Sequence, residues 1–292
     1  ISKKGFHKMT EQYKLPAPQT VFIDNPDEIE QIAEKMKYPC IIKPEFRSPA
    51  FARVAKQKAL CCHESKSLVA FYHSFCQADP RAVIQQWIPG GDEDVFFCLQ
   101  YYDRSSRPLV SFVGKKIRQW PVLSGGTASC IPVDKQELES LSTVFFTSIG
   151  YHGLCSMEYK RNPIDGQFMM IEPTIGRTDW QSDVATINGI PIPYVAYCDL
   201  AGVAIPEISR SFRAIKWIRW SADKESAEQY RKQGKLSWWC WLWSIRPPHR
   251  WSVWRWNDPK PYLWGLGRKV RKKLRKIFGL GGQARKEPDR NF

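Results

Sequence analysis

The chain is 292 residues long, which is enough to bury a sizeable core in one large domain or two smaller ones. It starts with Ile1, and we interpret it as a processed chain or a fragment. There is no secretory signal and no apolar run of about 18 residues, so a bilayer-spanning helix is not expected. Nine cysteines are present and none forms a CxxC pair, which favours free thiols in a reducing cytoplasm over disulfides or zinc ligands.

The net charge of +15 lies entirely in the C-terminal part of the chain. Residues 1–204 contain 22 basic and 22 acidic side chains, whereas residues 205–292 contain 22 basic and 7 acidic ones. Ten of the thirteen tryptophans also follow residue 204. This change in composition predicts a boundary there, between a neutral domain and a basic, tryptophan-rich extension.

The neutral part predicts short strands and helices that alternate along the chain. Asn25 and Pro26 are typical of the start of a helix, and the apolar residues after them recur at helical spacing. Short apolar runs bounded by Pro, Gly and acidic residues predict buried strands. In chain order we predict a helix over residues 1–14, a strand over 20–23, a helix from 25, a strand over 38–44, a helix over 65–76, strands over 82–88, 95–102 and 109–118, and helices from 134 and over 194–203.

Basic residues at two strand ends admit two interpretations. Lys43 either reaches solvent from the end of its strand or faces a cleft and neutralises a phosphate. The cluster of Lys115, Lys116 and Arg118 is either an exposed strand end or part of an anion site. Residues 45–58 are irregular and basic, which suits a mobile loop over an anion.

Residues 151–177 predict a hairpin that carries two glutamates. Two apolar runs, 154–160 and 167–172, flank a Pro-containing loop with Asp165-Gly166, a dipeptide typical of hairpin turns. A loop centred on Asp165 makes Glu158 and Glu172 direct cross-strand partners. Like charges placed opposite each other destabilise a sheet unless a cation lies between them, and Mg²⁺ is the usual one. The alternative is a solvated hairpin with two unrelated glutamates.

Four segments follow one another in an order that is typical of a known family. They are Ser2-Lys3-Lys4 with Leu15-Pro-Ala-Pro18, the strand Tyr38-Pro-Cys-Ile-Ile-Lys43-Pro44, Val83-Ile-Gln-Gln-Trp-Ile-Pro-Gly90, and Ile171-Glu-Pro-Thr-Ile-Gly-Arg177 after Glu158. Together they resemble the ATP-grasp superfamily, and within it the carboxylate–amine ligase type. The resemblance covers about residues 1–200. It implies an α+β fold in which a lid over about 20–88 and a metal and substrate subdomain over about 89–200 grip ATP.

The resemblance also implies a role for each matching residue, with ATP and Mg²⁺ as cofactors and a small-molecule carboxylate and an amine as partners. Lys43 contacts phosphate, residues 85–88 border adenine, and Asp92 or Glu93 binds ribose. The implied cofactor-binding residues are Lys3, Lys43, Gln85, Gln86, Trp87, Ile88, Asp92 and Glu93. The implied metal ligands are Glu158, Glu172 and Thr174. Arg118 and Arg177 are implied to neutralise the charge that grows on the transferred phosphoryl group.

Two features depart from the family pattern. Thr174 replaces the metal-binding Asn, and a hydroxyl is a weaker oxygen ligand, which leaves open whether one or two metals bind. Arg177 stands one residue later than the arginine in the commonest form of the family's metal-site motif. The family usually has an amino-terminal substrate domain before the segment that matches Lys3, so we expect that part of the substrate site is missing here.

The C-terminal part mixes tryptophans with cations. Residues 238–243 hold four tryptophans, and residues 268–278 place apolar side chains on one side of a predicted helix that contains seven basic residues. Such a basic amphipathic helix is typical of proteins that bind a membrane surface or an acidic partner. Two alternatives are a nucleic-acid surface and a cationic tail whose tryptophans pack on the neutral domain.

The resemblance implies an ATP-dependent carboxylate–amine ligase, and the composition predicts that it is cytoplasmic and held near the inner membrane face by its C-terminal part. One alternative is a degenerate ATP-grasp domain that senses nucleotide without catalysis, for which Thr174 is the argument. Another is a nucleic-acid-binding protein that depends on the basic C-terminal part.

Overall fold

A computed structural model describes residues 2–45, 60–77, 80–208 and 214–277. Its described strands form two sheets, one of four strands in the order β1-β4-β2-β3 and one of seven in the order β11-β10-β7-β6-β5-β8-β9. Most of the basic loop predicted over residues 45–58 lies outside the described residues. The two sheets carry most of the residues of the candidate functional site.

The four-stranded sheet belongs to the N-terminal part of the chain. Its elements and the preceding helix are α1 (Lys3–Gln12), β1 (Thr20–Ile23), α2 (Ile29–Lys35), β2 (Cys40–Pro44), β3 (Leu60–Cys62), α3 (Ser65–His73) and β4 (Ala82–Gln86). A turn of 3-10 helix precedes α2, and the side chain of Asn25 accepts a hydrogen bond from the backbone of Asp27, as predicted for a cap. Ile29 of α2 and Leu68 of α3 are buried against Ile42 and Ile84.

The seven-stranded sheet has helices on both faces. Its neutral part comprises β5 (Val95–Tyr102), β6 (Pro108–Trp120), β7 (Gly126–Pro132), α4 (Gln136–Ser148), β8 (Gly153–Arg161), β9 (Phe168–Ile175), α5 (Asp183–Ile187) and α6 (Ile192–Ala201). Helices α1 and α4 pack on one face through Phe6 and Phe145, and α5 and α6 pack on the other through Val184 and Val195. Because both faces are covered, every residue of β5 is buried, and its sequence is apolar or aromatic except for Gln100, whose amide donates to the hydroxyls of Ser111 and Thr143.

The predicted pairing of Glu158 with Glu172 is confirmed, although the register is reached differently. Arg161 pairs with Phe168 near the loop, so the hairpin is centred between residues 164 and 165. A β-bulge at Ile171 inserts one extra residue into β9 and brings Glu172 opposite Glu158. The two carboxylates therefore share one face of the sheet.

The C-terminal part completes this sheet. Its elements are β10 (Lys216–Ile218), α7 (Trp220–Lys232), α8 (Trp238–Ser244), β11 (His249–Trp251) and α9 (Lys260–Ile277). Strand β10 pairs antiparallel with β7, and β11 pairs parallel with β10. The change in composition after residue 204 therefore does not coincide with an edge of the sheet, because backbone pairing depends on hydrogen bonds and not on the charge of side chains.

The basic amphipathic helix is longer than predicted. It begins at Lys260 rather than at residue 268, and Phe278 lies outside the described residues. Within the parts of the chain that the structure describes, no helix is both long enough and apolar enough to cross a bilayer.

Candidate functional site

A small cavity of about 70 Å³ lies where the two sheets and helix α1 meet. Strands β2 and β4 contribute Lys43 and Gln85, β9 contributes Glu172, and α1 contributes Lys3 and His7. Lys43 pairs with Val83 on β4, and Val83 and Gln85 line the same cavity because alternate residues of a strand share a face. Residues that are far apart in the sequence thus converge on one space.

The cavity is electrostatically prepared for an anion. The pKa of Lys43 is lowered to about 8, chiefly by burial and secondly by the charge of Lys3, while the charge of Glu172 opposes the shift. Burial lowers the pKa of His7 to about 4, with the charge of Lys43 acting in the same direction. An imidazole with such a pKa is neutral at pH 7, so the two lysines supply the positive charge. A phosphate between Lys3 and Lys43 relieves their mutual repulsion.

Glu158 is compensated by a lysine of its own. Its Oε2 accepts a hydrogen bond from Lys116 Nζ at 2.6 Å, and Lys116 Nζ also donates to Gln119 Oε1 at 3.1 Å. Lys116 is buried, only 3% exposed. The sequence is equally consistent with Lys116 at an exposed strand end or in an anion site, and the structure places it, buried, against Glu158.

Asp179 lies beside this pair and carries no motif that reveals it in the sequence. Burial raises the pKa of its carboxyl, and the charge of Glu158 adds to the rise, while hydrogen bonds from the hydroxyls of Ser156 and Thr174 oppose it. Ser156 and Thr174 are cross-strand partners two residues along each strand from Glu158 and Glu172, and therefore on the same face. The Thr174 hydroxyl therefore favours the ionised form of the Asp179 carboxyl, whose pKa it lowers.

The residues present fit a magnesium ion that is carried by phosphates. Among the described residues, no three His, Cys, Asp or Glu side chains converge in a metal-binding cluster. Glu158 and Glu172 still offer two carboxylates from neighbouring strands. Mg²⁺ commonly takes one or two carboxylates and completes its shell with water and substrate phosphate oxygens, so two suffice.

The structure does not bring Arg118 to this site, because of a β-bulge in β6. Lys116 pairs with Cys130 and Arg118 pairs with Ser129, so Ile117 is the extra residue. Residues two apart normally share a face, but the bulge turns Lys116 and Arg118 to opposite faces. The guanidinium donates to both carboxylate oxygens of buried Asp223, at 2.7 and 3.0 Å, and to Ser244 Oγ at 2.8 Å. Arg118 is therefore a structural partner of α7 and α8, and the expectation of a catalytic role is corrected.

Two curated proteins share distant sequence similarity with the chain, and no protein-family model matches it. The D-aspartate ligase of Enterococcus faecium (strain Aus0004) is 23% identical over 199 residues, which cover 65% of this chain and 47% of that protein. The C-terminal section of the carbamoyl phosphate synthase large chain of Methanopyrus kandleri is 20% identical over 212 residues, which cover 70% of this chain and 38% of that protein. The chain spans about half, or less, of the length of these relatives.

Solved structures match the fold over a similar extent. The ADP complex of N5-carboxyaminoimidazole ribonucleotide synthetase aligns with a TM-score of 0.56 at 12% identity, over 71% of this chain and 53% of that one. The biotin carboxylase domain of Hydrogenobacter thermophilus 2-oxoglutarate carboxylase, in complex with MgADP, aligns with a TM-score of 0.54 at 15% identity, over 71% of this chain and 47% of that one. Phosphoribosylamine–glycine ligase from Thermotoga maritima aligns with a TM-score of 0.52 at 13% identity, over 71% of this chain and 56% of that one.

The chain has the fold of the ATP-grasp superfamily. In this ATP-grasp fold, the cavity between the sheets brings together four of the residues singled out in the sequence: Lys3, Lys43, Gln85 and Glu172. Gln86 is the last residue of β4, and Trp87 and Ile88 follow it; the backbone N–H of Trp87 donates to the carbonyl of Pro39. Arg177 is exposed in the turn after β9. The cavity lining does not include Gln86, Trp87, Ile88 or Arg177. The nucleotide-binding and catalytic roles of these last four residues stay predictions.

The acidic cluster before β5 divides into buried and exposed carboxylates. Asp92 is fully buried and accepts hydrogen bonds from the backbone and side chain of Gln119 and from the backbone of Leu123, at 2.7 to 3.0 Å. A carboxylate used in this way stabilises the turn after β6, so the expectation that Asp92 binds ribose is corrected. Glu93 is exposed and remains the predicted ribose ligand of the ATP-grasp site.

Proposed function

We propose that this protein is an ATP-dependent carboxylate–amine ligase. The observation that carries the proposal is the pairing of Glu158 with Glu172 beside a cavity that Lys43 and Lys3 share with Glu172. This arrangement suits a nucleotide triphosphate, since two lysines neutralise phosphate oxygens and two carboxylates complete the ligand shell of its magnesium ion. The ligases among the relatives and solved structures support the same class of reaction for this fold.

The proposed reaction has two steps. A substrate carboxylate oxygen attacks the γ-phosphorus of ATP, the bond to the β-phosphate oxygen breaks, and ADP leaves with an acyl phosphate remaining. The amine nitrogen then attacks the acyl carbon, phosphate departs with the electron pair of the C–O bond, and the nitrogen loses a proton. A magnesium ion held by Glu158 and Glu172 would supply charge neutralisation on the phosphates of ATP. The protein's own contribution is positioning and a fixed electrostatic environment.

Individual residues have separate roles in this proposal. Glu158 and Glu172 orient the metal-bearing phosphates, with Lys116 holding Glu158 in place at 2.6 Å. Lys43 and Lys3 bind the phosphates from the lid side, and Gln85 to Ile88 border the adenine. Arg177, exposed in the turn after β9, approaches the transferred phosphoryl group when substrate is bound.

Replacement of Glu172 by Gln tests the proposal. We expect Glu172→Gln to fold normally and to lose magnesium-dependent release of ADP and phosphate by at least about a hundredfold, because one of two metal-binding charges is lost. The measurement is coupled ADP release with a panel of amino acids as carboxylates and amines. Glu34→Gln, an exposed position on α2, is the matched control. Full activity of Glu172→Gln contradicts the metal assignment.

A nucleotide sensor is the second candidate, and Thr174 favours it because a hydroxyl, a weaker metal ligand, stands where the resemblance places a metal-binding Asn. The same preparation distinguishes the two. A sensor binds MgATP, seen by equilibrium binding of a fluorescent analogue, but releases no ADP with any amino acid of the panel. A ligase releases ADP in stoichiometry with the amide product.

We further propose that the protein works in the cytoplasm on the inner membrane face, to which its C-terminal part binds. Exposed tryptophans on α8 and α9, among them Trp239, Trp243 and Trp264, combine with the basic residues of that region. Indole rings and cations together suit a lipid headgroup layer. Co-sedimentation with anionic vesicles, compared with neutral vesicles and with a salt-matched oligonucleotide, tests this and the nucleic-acid alternative.

A further inference from the structure

A cavity of about 620 Å³ lies between helix α9 and the body of the protein, apart from the proposed nucleotide site. One wall includes Trp220 at the start of α7 and residues 251–254. The other wall is formed by four residues of α9, which are Pro261, Tyr262, Gly265 and Leu266. Its volume falls within the range of about 300–1,000 Å³ that ligand sites in proteins show. We call it the α9 pocket.

The walls of the α9 pocket are largely aromatic. Trp220 packs edge-on against Trp251 with ring centroids 5.3 Å apart, and Trp254 packs edge-on against Tyr262 at 5.2 Å. Arg255 bonds to the backbone of Trp251 and to Asp183 of α5, which fixes this loop on the body. The ring contacts and the bonds of Arg255 thus fix an aromatic surface that is available to an apolar ligand.

The apolar surface of the pocket continues along α9. Leu266 lines the pocket, and Val270 and Leu274 follow at four-residue intervals, so the three lie on one stripe of the helix. Each is nearly half exposed. The sequence of α9 contains no Asp or Glu and many Lys and Arg. An apolar stripe bordered only by cations matches a ligand that has an apolar chain and an anionic end.

Arg219 places a cation at the pocket itself. It lines the cavity, and its guanidinium lies 5.4 Å from the ring of Trp180. A flat base in the pocket would bury the polar edge of its ring, which is costly without matching hydrogen-bond partners. A hydrocarbon chain has no polar atoms to satisfy, and its headgroup would remain at Arg219.

We propose that the α9 pocket binds a hydrocarbon chain of an anionic lipid, taken from the membrane on which α9 lies. This deepens the proposed membrane contact and does not depend on the nucleotide site. Surface adsorption through tryptophans and cations needs no cavity, whereas the α9 pocket adds a site for a single lipid molecule. The two can therefore be separated by experiment.

Two glycines of α9 provide a matched pair of variants. Gly265 lines the pocket and Gly267 does not, and a Cβ added at either position meets no atom within 4 Å. Gly265→Leu places an apolar side chain in the cavity, and Gly267→Leu adds the same side chain outside it. Both replace a helical glycine, so their effects on helix propensity are equal in direction.

The assay is binding of lysophosphatidylglycerol to the full chain below its micelle concentration, followed by tryptophan fluorescence and calorimetry. We expect saturable binding to one site, weakened roughly tenfold by Gly265→Leu and unchanged in Gly267→Leu. Equal binding to wild type and Gly265→Leu, or no saturable binding to wild type, overturns the proposal. Competition by an oligonucleotide at equal affinity overturns it in favour of nucleic acid.

Vesicles and the headgroup provide the remaining arms. Gly265→Leu is expected to retain most binding to anionic vesicles if surface adsorption also operates. Absence of vesicle binding with intact lysolipid binding overturns the membrane as the source but keeps the pocket. Arg219→Gln is expected to lower the preference for lysophosphatidylglycerol over lysophosphatidylcholine severalfold, and an unchanged preference removes Arg219 from the site.

Discussion

Lys43 combines a strand position, a buried stem and a second nearby lysine. Its ammonium group shares the cavity with Lys3 and Glu172, and the cost of burying charge exceeds the benefit of the carboxylate. Its pKa of about 8 means that a modest rise in pH neutralises it. An incoming phosphate favours the charged form and reverses that shift.

The affinity for MgATP is therefore expected to fall as pH rises through about 8. Because Lys43 is protonated at pH 7 and largely neutral at pH 9, we expect a loss of roughly tenfold between these values, with proton uptake on binding. Calorimetry in two buffers of different ionisation enthalpy measures both. Lys43→Arg should bind with little dependence on pH, because arginine keeps its charge throughout. If the affinity of the wild type for MgATP depended on pH no more than that of Lys43→Arg, this role of Lys43 would be contradicted.

At the scale of elements, two β-bulges decide which side chains meet. The bulge at Ile171 aligns Glu172 with Glu158, and the bulge at Ile117 sends Lys116 to Glu158 and Arg118 to the opposite face. On that face Asp223 of α7 accepts from Arg118, from Ser129 Oγ at 2.5 Å and from Trp241 Nε1 at 2.9 Å. The network joins the C-terminal helices to the strand that holds Lys116.

Asp223→Asn is expected to destabilise the protein by roughly 3 kcal/mol, because it leaves the buried guanidinium of Arg118 without a compensating charge. Urea unfolding measures the loss. The control is Asp24→Asn, which breaks the exposed ion pair with Lys4 and should cost less than about 1 kcal/mol. Equal effects of the two substitutions would show that the network contributes no more than a surface pair.

At the scale of the whole molecule, the basic C-terminal part has two different relations to the rest. Residues 216–251 extend the seven-stranded sheet and bury Trp217, Ile218 and Trp241. Helix α9 follows the last strand of the sheet and does not extend it, and many of its described residues are exposed. The basic, tryptophan-rich composition is therefore shared by a segment that packs in the core, residues 216–251, and a segment on the surface, helix α9.

Two truncations separate these relations. Residues 1–204 alone should fail to unfold cooperatively, because the edge of β7 loses its partner and Arg118 loses Asp223. Residues 1–259 should unfold cooperatively and bind MgATP, but should lose binding to anionic vesicles with α9. Thermal unfolding by circular dichroism and vesicle pelleting measure the two outcomes. A cooperative fragment of residues 1–204 would restore the boundary that composition suggests.

Local patterns in the sequence predicted much of the fold. Strands β1 and β5 have the predicted limits, and the pairing of Glu158 with Glu172 is confirmed. These features depend on apolar runs and turn residues, which act over a few neighbouring positions. The order of four motifs likewise indicated the ATP-grasp fold, and the comparisons agree.

What required the tertiary structure was the direction of individual side chains and the partners of distant segments. The sequence alone determined many of the elements of the neutral part, the hairpin and the resemblance to the ATP-grasp fold, because these depend on composition, short-range spacing and the order of motifs. It could not show that Lys116 and Arg118 face opposite ways, because the residue inserted between them at the bulge is not visible in the sequence. It could not reveal Asp179 or the burial of Asp92, because both depend on packing by residues that are distant in the sequence. The place of the basic C-terminal part in the sheet was likewise decided only by packing, since unpaired strand edges and a buried arginine require partners from outside the neutral part of the chain.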